Sequence, residues 1–481
     1  MAISRSAEAW LVRRFYRGSD DMFARQRPDP SQPPGTDRLP QIKHIVLLMM
    51  ENHSFDNYLG TLGHGRGLPV DDTGSPLPVR QCDGTMAKLV RADSTRQVEG
   101  APTPAWLSSH VQYADGTNGG FQKAVRDLVP DATDEQIAAP MRYWTEEHLP
   151  FYAALARTFP LADHWFSSCL GPTFPNRRFL LAGTADGLVD DLPFGMVGYP
   201  KAGTILDLLT RNGIDWANYH AVAKRRVVRP FGRRTLTAAR RVTGVLDRAV
   251  PARLGSPVRR LSFTADLYPL GMFTAWGHLH GHDRFFADAR RGTLPPVSIV
   301  DPDFRDFSEE PPQDIARGEQ FAAQVIDAVM RGPAWRDTLL IWFYDEHGGY
   351  YDSVVPPPAV EPDDKPGKSL AGLPAPARAL LRKVVKTKMH ATVDANTDMR
   401  YDRLGFRVPA VIVSPYARPG AVVSDVFDHT SVLRLIEDKW NLPSLTRRDA
   451  AANSPISALD LDAAPAFANP PDLPPPLLGL P

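Results

Sequence analysis

Four short, nearly continuous apolar runs most constrain how this chain can fold: IKHIVLLMM at 42–50, VSIV at 297–300, TLLIWFY at 338–344 and VPAVIVS at 408–414. A strand with one face in water alternates apolar and polar residues. A strand apolar along its length is covered on both faces, the pattern of a parallel sheet. Helical patterns lie between some of the runs. The clearest is ARGEQFAAQVIDAVMRG, where Phe321, Val325 and Val329 share one face at four-residue spacing and Gly332-Pro333 gives the stop. Such strands and helices together predict an α/β fold with a mostly parallel central sheet. Ligands in these folds gather beyond the carboxyl ends of the strands.

Composition sets the outer bounds. Hydrophobic residues make up 43% and charged residues 23% of the 481, an ordinary globular balance. The 55 basic and 55 acidic residues cancel, so net charge selects no partner and no nucleic acid is expected. Proline, at 47 residues, predicts stiff loops carried on a regular core. Two cysteines make no disulfide framework, and Cys169 reads as a small buried apolar residue. The N-terminal stretch lacks a secretory pattern, and no run approaches the ~18 apolar residues that span a bilayer. The expectation is therefore a cytoplasmic protein.

Residues 1–40 read as an arm and linker, 41–460 as the main domain with insertions near 222–262 and 359–400, and 461–481 as a proline-rich tail, extended or disordered. Within the first insertion, residues 224–260 carry twelve Lys or Arg against one acid, Asp247. Two readings fit this segment: peripheral contact with an anionic membrane surface, or a solvated cap helix.

The chemistry sits where the strands end. IKHIVLLMM runs into ENHSFDNYLG, placing Glu51 and Asn52 at its carboxyl edge; TLLIWFY runs into DEHGGYYD, placing Asp345, Glu346 and His347 at another. Either cluster alone could be a solvated loop with helix-capping acids. Both following buried strands suggests one rim, where carboxylates raise each other's pKa unless a cation neutralises them. A divalent metal is the economical expectation: Ca²⁺, Mg²⁺, Mn²⁺ or Zn²⁺.

In GPTFPNRRF, at 171–179, Thr173 follows a Gly-Pro turn and Pro175 suits the first turn of a helix. A threonine hydroxyl is a poor nucleophile until a metal or a helix N-terminus favours its alkoxide. Backbone N–H groups there would also receive a phosphate. Asn176, with Arg177 or Arg178, can donate to phosphoryl oxygens. His429, in VFDHTSVLRLIEDKW, heads an amphipathic helix that Thr430 or Ser431 can cap. Because Asp428-His429 follows the strand ending at Ser414-Pro415, a rim position is expected for it. His110, in SSHVQYADGTNGGF, is ambiguous by itself.

Taken together, IKHIVLLMMENHSFDNYLG, DHWFSSCLGPTFPNRRFLLAGT, TLLIWFYDEHGGYYDSVVPP and FDHTSVLRLIEDKW resemble the signature blocks of the bacterial phosphoesterase family. That family holds phosphatidylcholine-type phospholipases C and related acid phosphatases on an alkaline-phosphatase-like fold. The resemblance implies that Thr173 is the nucleophile of a phosphothreonine intermediate. It implies that Glu51, Asp345 and Glu346 hold the metal with the Thr173 oxygen, and that Asn52 and Asn176 bind phosphoryl oxygens. His110 matches a family histidine that contacts the phosphate or leaving group; His347 and His429 also match family positions.

One departure stands out: SEEPPQDIARG has Glu310 where the family often has a histidine. His278, His280 and His282 are candidate substitutes. Sulfatases share the frame of TFPNR but need a Cys or Ser to form their aldehyde, so threonine favours phosphate esters. The expected activity is phospholipase C-like hydrolysis of phosphodiesters, with a phosphate ester or phospholipid as substrate. The alternatives are an acid phosphatase-type phosphomonoesterase and a non-catalytic phosphate- or phospholipid-binding member.

Overall fold

A computed structural model describes residues 27–191, 200, 202–221, 276–367 and 399–480. The expected insertion at 222–262, most of that at 359–400 and residues 1–26 of the arm lie outside them.

Among the described residues, eight strands form the central sheet: β1 (His44–Met50), β2 (Leu161–Ala162), β3 (Trp216–His220), β4 (Leu279–Gly281), β5 (Val297–Val300), β6 (Thr338–Tyr344), β7 (Ala410–Val413) and β8 (Val422–Val423). Their order across the sheet is β8-β2-β7-β6-β1-β5-β3-β4. Strands β1 and β6 pair in parallel at its centre, from His44 opposite Thr338 to Met50 opposite Tyr344. Every residue of β6 is buried, as is every residue of β1 after His44. Cover on both faces is the physical reason these runs lack alternation.

β7 departs from the expected parallel set, running antiparallel to both β6 and β2. Its exit at Ser414 is therefore at the edge opposite the carboxyl ends of β1 and β6. The chain returns along β8, parallel to β2, and that strand brings Asp428 and His429 to the rim. His429 lies beside Asp345, reached by a route other than the one expected.

The helices used below are α1 (Phe55–Leu59), α2 (Trp106–Tyr113), α3 (Pro150–Thr158), α4 (Thr173–Ala182), α5 (Ile315–Met330) and α6 (His429–Trp440). α5 buries the stripe Phe321, Val325 and Val329, and the Asp314 side chain caps its first turn. α6 is capped by Asp428, not Thr430 or Ser431, in a box whose return bond runs from Asp428 N–H to Ser431 Oγ.

Residues 27–40 do more than link. Gly35 and Arg38 donate their N–H groups to the carbonyls of Trp440 and Lys439 at 2.8 and 2.7 Å, satisfying the open C-terminal end of α6. The tail has no regular element over most of its length, yet it is docked. Trp335 Nε1 donates to Phe467 O at 2.8 Å, and Leu477 N to Glu319 Oε2 at 3.2 Å.

A buried ion cluster joins the loops after β1 and β6. Arg407 donates Nε to Asp352 Oδ1 at 2.8 Å and Nη2 to Asp56 Oδ1 at 3.0 Å. Its Nη1 binds the carbonyls of Arg66 and Asp163. Removing the cation would leave both carboxylates buried without compensation. Arg407→Met is expected to lower unfolding free energy by about 3–5 kcal/mol, read from urea denaturation; a loss below about 1 kcal/mol would show that the cluster is solvated in solution.

Candidate active site

Three strand ends meet at one rim. β1 delivers Glu51 and Asn52, β6 delivers Asp345, Glu346 and His347, and β5 delivers Asp301, which the sequence reading did not single out. The signal for Asp301 was present in VSIVD, a buried run ending on an acid. Asn52 adopts a left-handed backbone, φ 71°, which asparagine tolerates better than most residues. This turns its N–H onto Asp345 Oδ1 at 3.2 Å. Gly348 makes the turn possible, since a Cβ there would lie 1.9 Å from Asn52 O.

Arg177, on α4, reaches into this rim. Its Nε donates to Asp345 Oδ2 at 3.1 Å and its Nη1 to Asp301 Oδ1 at 3.0 Å, while Nη2 stands 3.6 Å from Glu51 Oε1. The expected phosphoryl donor is thus committed to three carboxylates, because a buried guanidinium takes the nearest anions. Burial opposes its charge, but Asp345, Glu51 and Asp301 more than offset that and raise its pKa. Arg178, the other donor considered, gives Nη1 to Ala185 O at 3.1 Å.

The acids feel both influences. Burial, then the Asp345 charge, pushes Glu51 well above the usual carboxylate range, with Arg177 pulling it back. Burial raises Asp345 against Arg177, and burial with Asp345 raises Glu346 further. Glu346 Oε2 accepts Gly348 N at 2.6 Å. Its Oε1, like Asn52 Oδ1, is buried without a hydrogen-bond donor. Among the described residues, no three Asp, Glu, His or Cys side chains enclose a metal-sized point.

Thr173 is the first residue of α4 and 8% exposed. Pro172, extended, precedes it. The next amide, Phe174 N, donates to Asp191 Oδ1 at 2.9 Å, so a carboxylate occupies the N–H expected to receive phosphate. No sequence signal pointed to Asp191. Asn176 also differs from expectation. Its Nδ2 donates to Gly171 O and Pro172 O at 2.9 and 3.0 Å, and its Oδ1 accepts Cys169 N at 3.0 Å. Fully buried beneath the turn, it fixes the loop that precedes Thr173. Cys169 is buried, and burial raises its thiol pKa.

The histidines divide into locked and peripheral. His347 Nε2 lies 2.7 Å from Gln112 Oε1, and burial lowers its pKa to about 3. His429 Nε2 lies 2.6 Å from Asp345 O, and burial lowers it to about 4. Both are neutral at pH 7; His429 holds the main chain of Asp345. His110, partly buried, has Nδ1 2.7 Å from Trp106 O. Trp106 packs on Gly171, where a Cβ would come within 2.9 Å of its ring, so His110 stands one helical turn from a residue touching the Thr173 loop.

Of the possible substitutes, His278 lies against Trp216, at the opposite edge of the sheet, with its ring centroid 4.2 Å away. His280 faces Tyr219 across β3 and β4. His282 alone borders the rim, with Nε2 2.7 Å from Asp301 O. Glu310 is exposed, two residues beyond Ser308, whose carbonyl accepts Glu51 N at 3.1 Å.

The Arg177 cluster predicts a signed pH effect. Without the guanidinium, the native pKa values of Glu51 and Asp345 rise further above their unfolded values, so the cost is greatest at high pH and eases as protons bind. Arg177→Met is expected to lose about 3–5 kcal/mol at pH 7.5 and to recover part of it at pH 5, read from urea midpoints in EDTA. An equal loss at both pH values would exclude charge as the cause.

Comparison with known proteins identifies the family. A model of the Phosphoesterase family matches residues 42–443. Phospholipase C B of Mycobacterium tuberculosis (strain ATCC 25618 / H37Rv) is 31% identical over 452 residues, covering 89% of this chain and 79% of that protein. Non-specific phospholipase C6 of Arabidopsis thaliana is 29% identical over 441 residues, covering 85% and 71%. Among solved structures, a protein in the alkaline phosphatase superfamily from Vibrio parahaemolyticus overlaps 94% of this chain and 79% of that one, with TM-score 0.34 and 10% identity; nothing below rests on that overlap. With the family model spanning most of its length, the chain belongs to the phosphoesterase family.

Proposed function

We propose that this protein is a phospholipase C-type phosphodiesterase that uses Thr173 as its nucleophile. The observation that carries the reading is the geometry of α4. Thr173 is its first residue, and Arg177, one turn later, fastens the same helix to the acidic ends of β1, β5 and β6. A hydroxyl on a helix start so anchored is held for attack without reorganisation. The relatives named phospholipase C favour a diester over a monoester.

In the first step Thr173 Oγ1 forms a bond to phosphorus as the bond to the leaving alkoxide breaks. The hydroxyl proton passes to solvent, and the leaving oxygen takes one from His110 or water. The adduct is a phosphothreonine that keeps the head group. Water then attacks phosphorus, the Thr173 oxygen departs and regains a proton, and the head-group phosphate is released. His347 and His429, neutral at pH 7, serve as hydrogen-bond partners and not as proton donors.

A divalent cation would need Arg177 to yield Glu51 and Asp345 to it, because as they stand these acids pair with the guanidinium and, among the described residues, no three enclose an ion. Glu346 Oε1 and Asn52 Oδ1, buried without donors, are the hard oxygens open to it. Glu51, Asp345, Glu346 and Thr173 would hold the ion, which would stabilise negative charge on oxygen. Phosphodiester phospholipids are the proposed substrates, met from solution or at a membrane surface. No helix among the described residues is long and apolar enough to cross a membrane.

The test compares p-nitrophenylphosphorylcholine with p-nitrophenyl phosphate, after EDTA and after metal add-back. Metal-dependent turnover of the diester is expected, falling by about 10⁴-fold or more in Thr173→Ala. Turnover of the monoester alone would make the protein a phosphatase. Diester hydrolysis at the wild-type rate in Thr173→Ala would remove the nucleophile assignment.

A further inference from the structure

Glu309, the neighbour of the exposed Glu310, points the opposite way. Its carboxyl is fully buried and receives three tyrosine hydroxyls: Tyr152 OH on Oε1 at 2.7 Å, with Tyr58 OH at 2.7 Å and Tyr344 OH at 2.6 Å on Oε2. The surroundings are shaped to admit it. Its backbone has φ 77°, a left-handed conformation that a glutamate keeps only where its surroundings impose it. A Cβ at Gly318 of α5 would stand 2.0 Å from Glu309 Cγ. Burial lifts the carboxyl to about 8, while the tyrosines pull it back.

The three hydroxyls come from different parts of the fold. Tyr344 is the last residue of β6 and directly precedes Asp345. Tyr58 lies on α1, and its ring stacks on His53 at 4.1 Å, next to Asn52. The carbonyl of Glu309 itself lies 3.2 Å from His53 Nε2, and that of Ser308 accepts Glu51 N. Tyr152 comes from α3, which carries no residue of the rim.

We propose that Glu309 is a positioning residue for the phosphoesterase reaction: its carboxyl ties the segment bearing Glu51 and Asn52 to the strand end bearing Asp345 and Glu346. The proposal rests on the proposed function only for its kinetic readout. A buried carboxyl shared by two tyrosines fixes one segment against the other, because neither hydroxyl can move without losing a bond that no water replaces. Tyr152 binds the other oxygen of the same carboxyl and neighbours the Tyr344 hydroxyl, but its own helix carries no rim residue.

That asymmetry supplies the experiment. Tyr58→Phe, Tyr344→Phe and Tyr152→Phe each delete one hydroxyl from the same carboxyl, so a purely structural role lowers stability in all three and favours none in kinetics. Positioning predicts that kcat on p-nitrophenylphosphorylcholine falls by about 10- to 100-fold in Tyr58→Phe and Tyr344→Phe, with KM within about two-fold. Tyr152→Phe should stay within about two-fold of wild type in kcat. Equal kcat values across the three variants would overturn the proposal.

A crystal structure of Tyr344→Phe gives a readout that needs no turnover. The proposal expects the Asn52 N to Asp345 Oδ1 contact, 3.2 Å here, to lengthen or break; an unchanged contact would overturn it. A wild-type protein that hydrolyses neither phosphoester would sink the functional reading, while the crystal structure would still decide the role of Glu309.

Discussion

One buried guanidinium holds the rim together. Arg177 answers the charges of Asp345, Asp301 and Glu51 at once, and through them joins α4 to three neighbouring strands of the sheet. Few other side chains could do this. A lysine ammonium offers a single point of charge, whereas the planar fork of arginine sends donors in several fixed directions. The acids would otherwise repel one another in a medium that screens charge poorly. Because Thr173 sits one turn before Arg177, the interaction that neutralises the carboxylates also orients the proposed nucleophile.

Beneath this cation the site is built from residues that leave substrate alone. Asn176 closes the turn before Thr173, His429 holds the carbonyl of Asp345, and Glu309 gathers tyrosines from both acidic segments. Each polar group is buried, and each bonds to a segment other than its own element. Such contacts turn sheet geometry into side-chain geometry: a shift in one strand end would break hydrogen bonds that water cannot reach to replace. The exposed members, Glu310 and Asp191, stand where the chain meets solvent.

The long strands were legible in the sequence because burial on both faces leaves an unbroken apolar run, as in β1 and β6. The direction of β7 was not, since an apolar run looks the same read either way along the sheet. β2 and β8, at two residues each, are too short for any periodicity to register, and with them went the route by which His429 reaches the rim. Residue types were read more reliably than their targets. Glu51, Asn52, Asp345 and Glu346 lie where β1 and β6 end, with Arg177 among them, but Arg177 and Asn176 face protein groups. Which partner a donor chooses is a property of tertiary distance, absent from local sequence. Asp301 was missed although its signal, an acid ending a buried run, was the one used for Asp345.

The proposed mechanism requires a covalent bond between Thr173 and phosphorus, and mass spectrometry can observe that bond directly. Wild-type enzyme would be quenched in acid during turnover of p-nitrophenylphosphorylcholine, digested and mapped by fragmentation. The account predicts a phosphorylcholine adduct on Thr173 that appears before steady state and disappears as substrate is exhausted. Rapid turnover with no adduct, or an adduct on another side chain, would contradict it and leave α4 as a scaffold for a different nucleophile.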